Sequence, residues 1–162
     1  MNDFLLDGTF FGNPWVIPLF LFVFGCCIGS FLNVCIYRLP LDRSIVAPRS
    51  SCPKCQTPIR AQDNIPLLSY VWLRGRCRKC KASISWRYPL VEALTGALAV
   101  ALFFSFGLSA QSLMYFSLAA ALIVITFIDL DHRIIPDVIS LPGIGLGTVS
   151  YTHLTLPTIY SV

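Results

Sequence analysis

The amino-acid sequence predicts an all-α polytopic membrane protein that is interrupted by one small polar insert. Of the 162 residues, 56% are hydrophobic and 12% are charged, whereas about a quarter of the residues of a soluble domain are charged. The 36 residues from Ala93 to Ile128 include no Asp, Glu, Lys or Arg. Eleven of the twelve Lys and Arg residues lie between positions 38 and 87. This separation of apolar and basic segments is typical of membrane spans and their connecting loops.

Apolar segments long enough to cross a bilayer occur three times, and a fourth begins. Residues 15–37 carry no formal charge and predict the first span, because about 20 apolar residues cross the hydrocarbon core. The run that starts at Ala93 is too long for one span, so we expect a hairpin near residues 105–112. The predicted organisation has five parts: an extracytoplasmic N-terminus (1–14), the first span (15–37), a polar insert (38–87), a membrane domain with spans at roughly 90–106 and 112–128 and part of a fourth (88–149), and an atypical tail (150–162).

The first span contains a pattern for helix association. Gly25 and Gly29 form a small-xxx-small pair, which allows the backbone of another helix to approach closely. Ser30 and Asn33 follow at helical spacing. We expect these two polar side chains to bond to a neighbouring helix, and a direct part in a functional site is the alternative.

The distribution of charge predicts the orientation in the membrane. The insert has eleven basic residues against only Asp42 and Asp63, a net charge of +9. The positive-inside rule therefore predicts a cytoplasmic insert and an extracytoplasmic N-terminus. The charge is either a topology signal alone or a contact surface for anionic lipid or an acidic partner. No recognition motif accompanies it, so nucleic-acid binding is not expected.

Four cysteines of the insert have the spacing of a metal site. Cys52 and Cys55 form one C-x-x-C knuckle, and Cys77 and Cys80 form a second after 21 intervening residues. This pattern predicts a tetrahedral, zinc-ribbon-like site with four thiolate ligands. Four protein ligands leave no position for a catalytic water, so the expected Zn²⁺ is structural. Another metal, or free or redox-active cysteines, are the alternatives.

Carboxylates follow directly on the long apolar run, at Asp129, Asp131 and Asp137. Ionisable groups at a membrane boundary are costly, which makes them candidates for function. Two aspartates that share one proton can hydrolyse a peptide bond. Asp129 and Asp131 are two residues apart on a predicted helix and point away from each other, so a partner must come from another helix. Alternatively, these residues and His132 only end a helix in water, and Asp137 caps the next.

Four stretches, in this order, resemble the type IV prepilin peptidases, or leader peptidase/N-methyltransferases, of bacterial pilus and type II secretion systems. They are Gly29–Pro40, the paired cysteine knuckles, Arg87–Glu92 and Asp129–Asp137. The resemblance covers about residues 15–147. It implies a multi-pass enzyme of the bacterial inner membrane that removes the basic leader of prepilins or pseudopilins at the cytoplasmic face. It also implies methylation of the new N-terminus from S-adenosylmethionine.

By this resemblance, Asp129 matches the first catalytic aspartate, with Asp131 as the alternative. No residues are assigned to the methyl donor. The second aspartate of the family lies in a later G-x-G-D motif, whereas Gly143–Gly147 is followed by Thr148. We therefore expect a carboxy-terminally truncated family member that is inactive as a peptidase, with a truncation, a frameshift or a foreign junction as the origin of the atypical tail. A non-catalytic zinc-ribbon membrane scaffold of a pilus or secretion assembly is the alternative. A zinc protease is not expected, since no H-E-x-x-H motif is present.

Overall fold

The computed structural model describes residues 14–47 and 50–133 and, separately, residue 143. In these ranges the structure is helical, without a β-strand and with two isolated bridges in the insert. The all-α fold class is confirmed. The helices are α1 (Val16–Arg38), α2 (Leu68–Trp72), α3 (Arg87–Phe106) and α4 (Ala110–His132), with 3-10 turns at Leu39–Leu41 and Ala61–Asn64. Asp137, the glycine run Gly143–Gly147 as a whole, the expected fourth span and the tail lie outside the described residues.

Helices α1, α3 and α4 are long and apolar enough to cross a membrane. A helix of 23 residues, such as α1 or α4, is about 35 Å long at 1.5 Å per residue, and the hydrocarbon core is about 30 Å thick. Large apolar side chains such as Phe20, Phe24 and Leu113 are exposed on the outer surface. Such a surface suits lipid and not water, so the chain is a multi-pass membrane protein.

The connection between α3 and α4 is the tight hairpin that the sequence predicts. Gly107 has a φ of +64° and ends α3, and the backbone adopts this left-handed value most easily at glycine. Ser109 then caps α4, because its side-chain oxygen accepts a hydrogen bond from the Ser112 N–H at 3.2 Å. The two helices are therefore antiparallel neighbours.

Helices α1 and α3 pack antiparallel with their backbones in close contact. A Cβ added to Gly29 would lie 2.7 Å from the Cα of Glu92, and one added to Gly25 would lie 2.8 Å from the Cα of Gly96. From the other side, a Cβ on Gly96 would lie 2.7 Å from the Cys26 Sγ. The prediction that the glycine pair of the first span receives another helix is confirmed.

The buried core lies towards the end of the bundle at which the insert joins it, here called the insert end. Ile128 of α4 is completely buried, and Val91 of α3 is 1% exposed. All three long helices contribute to this core, which consists of Leu32, Cys35, Ile36, Val91, Ile123, Val124 and Ile128. The contact fixes the rotation of α4 about its axis just before its carboxylates.

The α1–α3 contact yields a first testable prediction. Replacing Gly96 by Val (Gly96→Val) should destabilise the helix pair by about 1–3 kcal/mol, because the new side chain meets the α1 backbone and the Cys26 sulfur. Thermal unfolding in detergent micelles measures the change. Ala97→Val is the control, because this neighbouring residue is exposed on α3. Equal stability of the two variants would contradict the close packing.

Candidate functional site

The two cysteine loops of the insert share one backbone design. In each loop the N–H of the first cysteine, Cys52 or Cys77, donates to the carbonyl five residues later, at 3.0 and 2.8 Å. The residue after the second cysteine, Gln56 or Lys81, has a left-handed φ of 53° or 58°. Its N–H returns to the carbonyl of the first cysteine at 2.8 and 3.0 Å. Each loop is therefore a tight turn that presents two sulfurs to the same side.

The four thiols of these loops converge on one point. Their sulfur atoms all lie within 4.8 Å of one another, and none of the four cysteines is in a disulfide. The Sγ atoms of Cys52 and Cys80 are 3.7 Å apart, and those of Cys55 and Cys77 are 3.9 Å apart. A tetrahedral zinc with bonds of about 2.3 Å requires sulfurs about 3.8 Å apart. The group can therefore hold a zinc ion, with Cys52, Cys55, Cys77 and Cys80 as its ligands.

The protonation of the thiols also favours a cation at this point. Hydrogen bonds from the side chain and backbone of Thr57 lower the pKa of Cys55 to about 6. The pKa of Cys80 is raised to about 11: the Ala82 backbone favours its thiolate, but burial and bonds to the other three thiols outweigh that effect. Four crowded thiols thus do not all ionise without a positive charge between them. A divalent metal supplies that charge and displaces the protons.

Further contacts brace the insert around the cysteine loops. Arg78, inside the second knuckle, forms a bidentate ion pair with Asp63 of the 3-10 turn, with contacts of 2.6 to 3.1 Å. The guanidinium lowers the pKa of this carboxyl by hydrogen bonding. The hydroxyl of Tyr70 in α2 donates to the Ile84 carbonyl at 3.3 Å. The segment between the two knuckles is therefore folded onto the second one.

Glu92 joins the insert to the membrane helices. Its side chain lies in the α1–α3 contact, and the residue is 8% exposed. The carboxylate accepts a hydrogen bond from the Leu67 N–H of the insert at 2.8 Å and lies within reach of the Ser30 side chain. Leu67 has a φ of +59°, an unfavourable value for a leucine. The bond to Glu92 satisfies the Leu67 N–H in this backbone conformation and ties the insert to the bundle.

A second bond at the insert end joins α1 to the start of α3. The Asn33 side-chain amide donates to the Tyr88 carbonyl at 3.0 Å. Tyr88 precedes Pro89, which lies in the first turn of α3. The expectation that polar side chains of the first span bond to a neighbouring helix is therefore confirmed for Asn33.

The Asp131 carboxylate is held by Arg87 at the start of α3. The guanidinium donates to both carboxylate oxygens, at 2.5 and 2.6 Å. The same side chain donates to the Phe127 carbonyl at 3.3 Å and stands over the Phe127 ring, 5.1 Å from its centroid. Arg87 thereby joins α3 to the last two turns of α4. Helix α4 thus extends to His132, about one turn beyond the predicted span.

The Asp129 carboxylate has a different environment. Successive residues of a helix are rotated by about 100°, so Asp131 lies about 60° from the direction of the buried Ile128 and Asp129 about 100° to the other side. Asp129 is exposed, and its side chain has no hydrogen-bond or ion-pair partner among the described residues. The two carboxylates point to different sides of α4, as their spacing predicts. Only Asp131 faces α3.

A cavity of about 160 Å³ opens between the three long helices at the insert end. Its walls include Asn33, Tyr37, Tyr88 and the ion pair of Arg87 with Asp131. The volume is enough for several water molecules. Asp129 does not line this cavity. The exposed carboxylate and the cavity are therefore separate features of the insert end.

Sequence reasoning did not find the specific roles of Arg87 and Glu92. Both are ionisable residues at the edge of an apolar helix, which is a signal for a specific partner. Their partners, Asp131 and the Leu67 N–H, are 44 and 25 residues away along the chain. Only the packing of the three helices brings these groups together.

Comparison with known proteins gives a consistent result. Residues 23–106 match the family model described as the bacterial peptidase A24 N-terminal domain. A prepilin leader peptidase/N-methyltransferase of Myxococcus xanthus is 50% identical over 132 residues, which are 82% of this chain and 39% of that protein. A protein of the same name from Aeromonas hydrophila is 44% identical over 155 residues, which are 81% of this chain and 53% of that protein.

A third relative of the same name, from Neisseria gonorrhoeae, is 42% identical over 161 residues, 85% of this chain and 56% of that protein. The chain thus spans between 39% and 56% of the length of these three relatives. No solved structure shows a significant match to the chain.

The geometry of the thiols predicts the effect of removing one ligand. Cys77→Ser should lose the bound zinc, because three thiolates and a hydroxyl no longer make a closed four-thiolate site. Zinc per chain in the purified protein is the measurement. Cys27→Ser is the control, since Cys27 is exposed on α1, and this variant should keep one equivalent. Retention of a full equivalent by Cys77→Ser would refute the site.

The ion pair between Arg87 and Asp131 predicts an energetic coupling. Arg87→Gln, Asp131→Asn and the double variant should show a coupling free energy of about 1 kcal/mol, because one guanidinium nitrogen binds both carboxylate oxygens but the pair is partly exposed. Unfolding in detergent micelles measures the three stabilities. Asp129→Asn combined with Arg87→Gln is the control and should be additive. Additivity in the Asp131 cycle would contradict the pairing.

Proposed function

The chain belongs to the bacterial peptidase A24 family, and from that premise we propose that it acts in the removal of leader peptides from type IV prepilins or pseudopilins. The proposal rests on the names of relatives that are 42–50% identical, prepilin leader peptidase/N-methyltransferases. One observation assigns the proposed catalytic role to a residue, namely the environment of Asp129. This carboxylate stands at the end of a membrane helix, exposed and without a partner among the described residues.

In the proposed reaction Asp129 is one member of an aspartate dyad. One ionised carboxylate of such a dyad takes a proton from the attacking water, and its protonated partner donates to the peptide carbonyl or the leaving amine. The pair must share a proton, so both groups have to face the same water. Asp129 is open to such a water, because it is exposed and no cation forms an ion pair with it within the described ranges.

Asp131 is the weaker candidate for this role. Its two oxygens both accept hydrogen bonds from Arg87. A dyad member has to bind the attacking water through such an oxygen. We therefore assign Asp131 to holding the end of α4 against α3.

The second carboxylate of the dyad has no candidate among the described residues. Glu92 is engaged by the Leu67 N–H and Asp63 by Arg78, and Asp42 follows the 3-10 turn Leu39–Leu41 in the insert, outside the membrane helices. We propose that an aspartate outside the described ranges, on another helix, completes the dyad. The expectation that the 162 residues alone do not cleave a prepilin stays a prediction.

The proposed orientation puts the insert and Asp129 on the cytoplasmic side. The support is the charge of the insert and the position of Asp129 at the insert end of the bundle. A prepilin with its basic leader in the cytoplasm would then present the scissile bond at this membrane face. S-adenosylmethionine is the methyl donor for the proposed N-methylation, and we assign no described residue to its binding.

A non-catalytic zinc-bearing scaffold is the second candidate. It is favoured by one observation, that the Glu92 carboxylate ties the insert to the membrane helices through the Leu67 N–H. A scaffold would need no titratable Asp129. The two candidates therefore differ in the effect of changing this residue.

The proposal predicts the result of a prepilin cleavage assay. The enzyme for the assay is this chain extended by the carboxy-terminal part of the Myxococcus xanthus relative. Asp129→Asn should lower cleavage by about 100-fold or more, because general acid–base catalysis is lost. Asp131→Asn should keep most of the activity. Zinc content shows that both variants are folded.

Unchanged cleavage with Asp129→Asn would refute the assignment of Asp129. Loss of cleavage with Asp131→Asn alone would transfer the role to Asp131. A completed chain that cleaves no prepilin, with its zinc in place, would favour the scaffold.

A further inference from the structure

We propose that helix α2, together with Trp86, is a surface anchor that lays the zinc insert on the anionic headgroups of the bilayer. The proposal goes beyond leader-peptide removal and does not depend on it. It concerns the surface formed by Leu68, Val71, Trp72 and Trp86, here called the anchor surface, and its partner is the lipid of the membrane in which α1, α3 and α4 are embedded.

Helix α2 presents one apolar face away from the protein. Leu68, Val71 and Trp72 occupy positions i, i+3 and i+4, and they are 66%, 73% and 85% exposed. Residues at this spacing lie on the same side of a helix. A contiguous exposed apolar face of this kind marks a contact site for protein or membrane.

The opposite side of α2 is fixed by the insert itself. The Tyr70 ring lies against Gly75, since a Cβ there would be 2.9 Å from the Tyr70 hydroxyl. The same hydroxyl bonds to the Ile84 carbonyl. The apolar face therefore cannot turn inward without breaking these contacts, and it needs an external partner.

The position of α2 relative to the membrane helices selects lipid as this partner. The N–H of Leu67, just before α2, bonds to the Glu92 carboxylate. Glu92 is five residues into α3, which is about 7.5 Å from its start at 1.5 Å per residue. Amphipathic helices on membranes bury their apolar face about 5–10 Å into the boundary between headgroups and acyl chains. With the bilayer boundary placed at the start of α3, the start of α2 is tied to α3 at a comparable depth.

Trp86 extends the anchor surface to the first residue before α3. It is 66% exposed and immediately precedes Arg87. Tryptophan is enriched at membrane–water interfaces, because its ring is apolar and its N–H can bond to water or headgroups. Two exposed tryptophans, Trp72 and Trp86, therefore lie at the insert end of the bundle.

The charges next to α2 select the lipid class. Five basic residues and no acidic one occur in the eight positions after Leu73, namely Arg74, Arg76, Arg78, Lys79 and Lys81. Arg78 is paired with Asp63, and the other four are exposed. A cluster of Lys and Arg beside a membrane-embedded segment attracts anionic headgroups. Apolar insertion and basic charge then act on the same surface.

The depth of Trp72 in a bilayer tests the proposal. Trp15→Phe and Trp86→Phe leave Trp72 as the only tryptophan of the full chain, which is reconstituted in vesicles of phosphatidylcholine and phosphatidylglycerol. Lipids brominated close to the headgroup should lower the Trp72 emission at least about twofold, because the ring is at headgroup level. Acrylamide in the water should quench it weakly.

Two variants of the single-tryptophan chain make the comparison specific. Val71→Asp should abolish most of the quenching by brominated lipid, since a carboxylate on the apolar face opposes insertion. Gln62→Asp is the matched control, because this exposed residue lies in the 3-10 turn outside the anchor surface, and it should leave the quenching unchanged. One equivalent of zinc in both variants shows that the insert is folded.

Three outcomes would overturn the proposal. Strong quenching by acrylamide without quenching by lipid would place α2 in water. Quenching by neither agent would mean that protein covers the apolar face. Equal lipid quenching in vesicles of phosphatidylcholine alone would show that the insert does not need anionic headgroups, which contradicts the proposed lipid class.

Discussion

The contact between the backbones of α1 and α3 is the constraint on which the other features depend. Glycines at the crossing let the helices approach until a single added Cβ would meet a Cα of the partner. This approach brings Asn33 to the Tyr88 carbonyl and Ser30 to Glu92. It also fixes the two ends of the polar insert beside each other, since the insert follows α1 and precedes α3. The insert is consequently a closed loop on a rigid base, which favours one arrangement of its cysteine knuckles.

The rotation of α4 against the α1–α3 pair determines which of its two aspartates is exposed without a partner. With Ile128 buried, α4 turns Asp131 towards Arg87 and leaves Asp129 exposed on another side. Two aspartates two residues apart thus have separate uses, one in packing and one available for chemistry. A zinc ion bound by the four thiols would serve packing in the same way, because they would close its coordination sphere. Under the proposed assignment, structural and chemical functions are separated at the insert end, although their residues are close in sequence.

The sequence was sufficient for the three long helices, the hairpin and the convergence of the four thiols, because each depends on local pattern or fixed spacing. Apolar length predicted α1, α3 and α4, and two C-x-x-C knuckles predicted the four thiols that converge. The partners of Arg87 and Glu92 depend on long-range packing and have no local signal. Helix α2 has only five residues, and the left-handed Leu67 before it is stabilised by a tertiary bond. Intrinsic propensity does not predict such elements, since tertiary context overrides it.

The central claim is that Asp129 is open and that Asp131 is occupied by Arg87. Carboxylate amidation with a carbodiimide and a small amine, followed site by site with mass spectrometry, measures this difference directly. We expect Asp129 to be labelled quickly and Asp131 slowly, and Asp131 to become reactive in the Arg87→Gln variant, because Arg87 shields both oxygens of Asp131. Labelling of Asp131 as fast as that of Asp129 in the unaltered chain would contradict the claim.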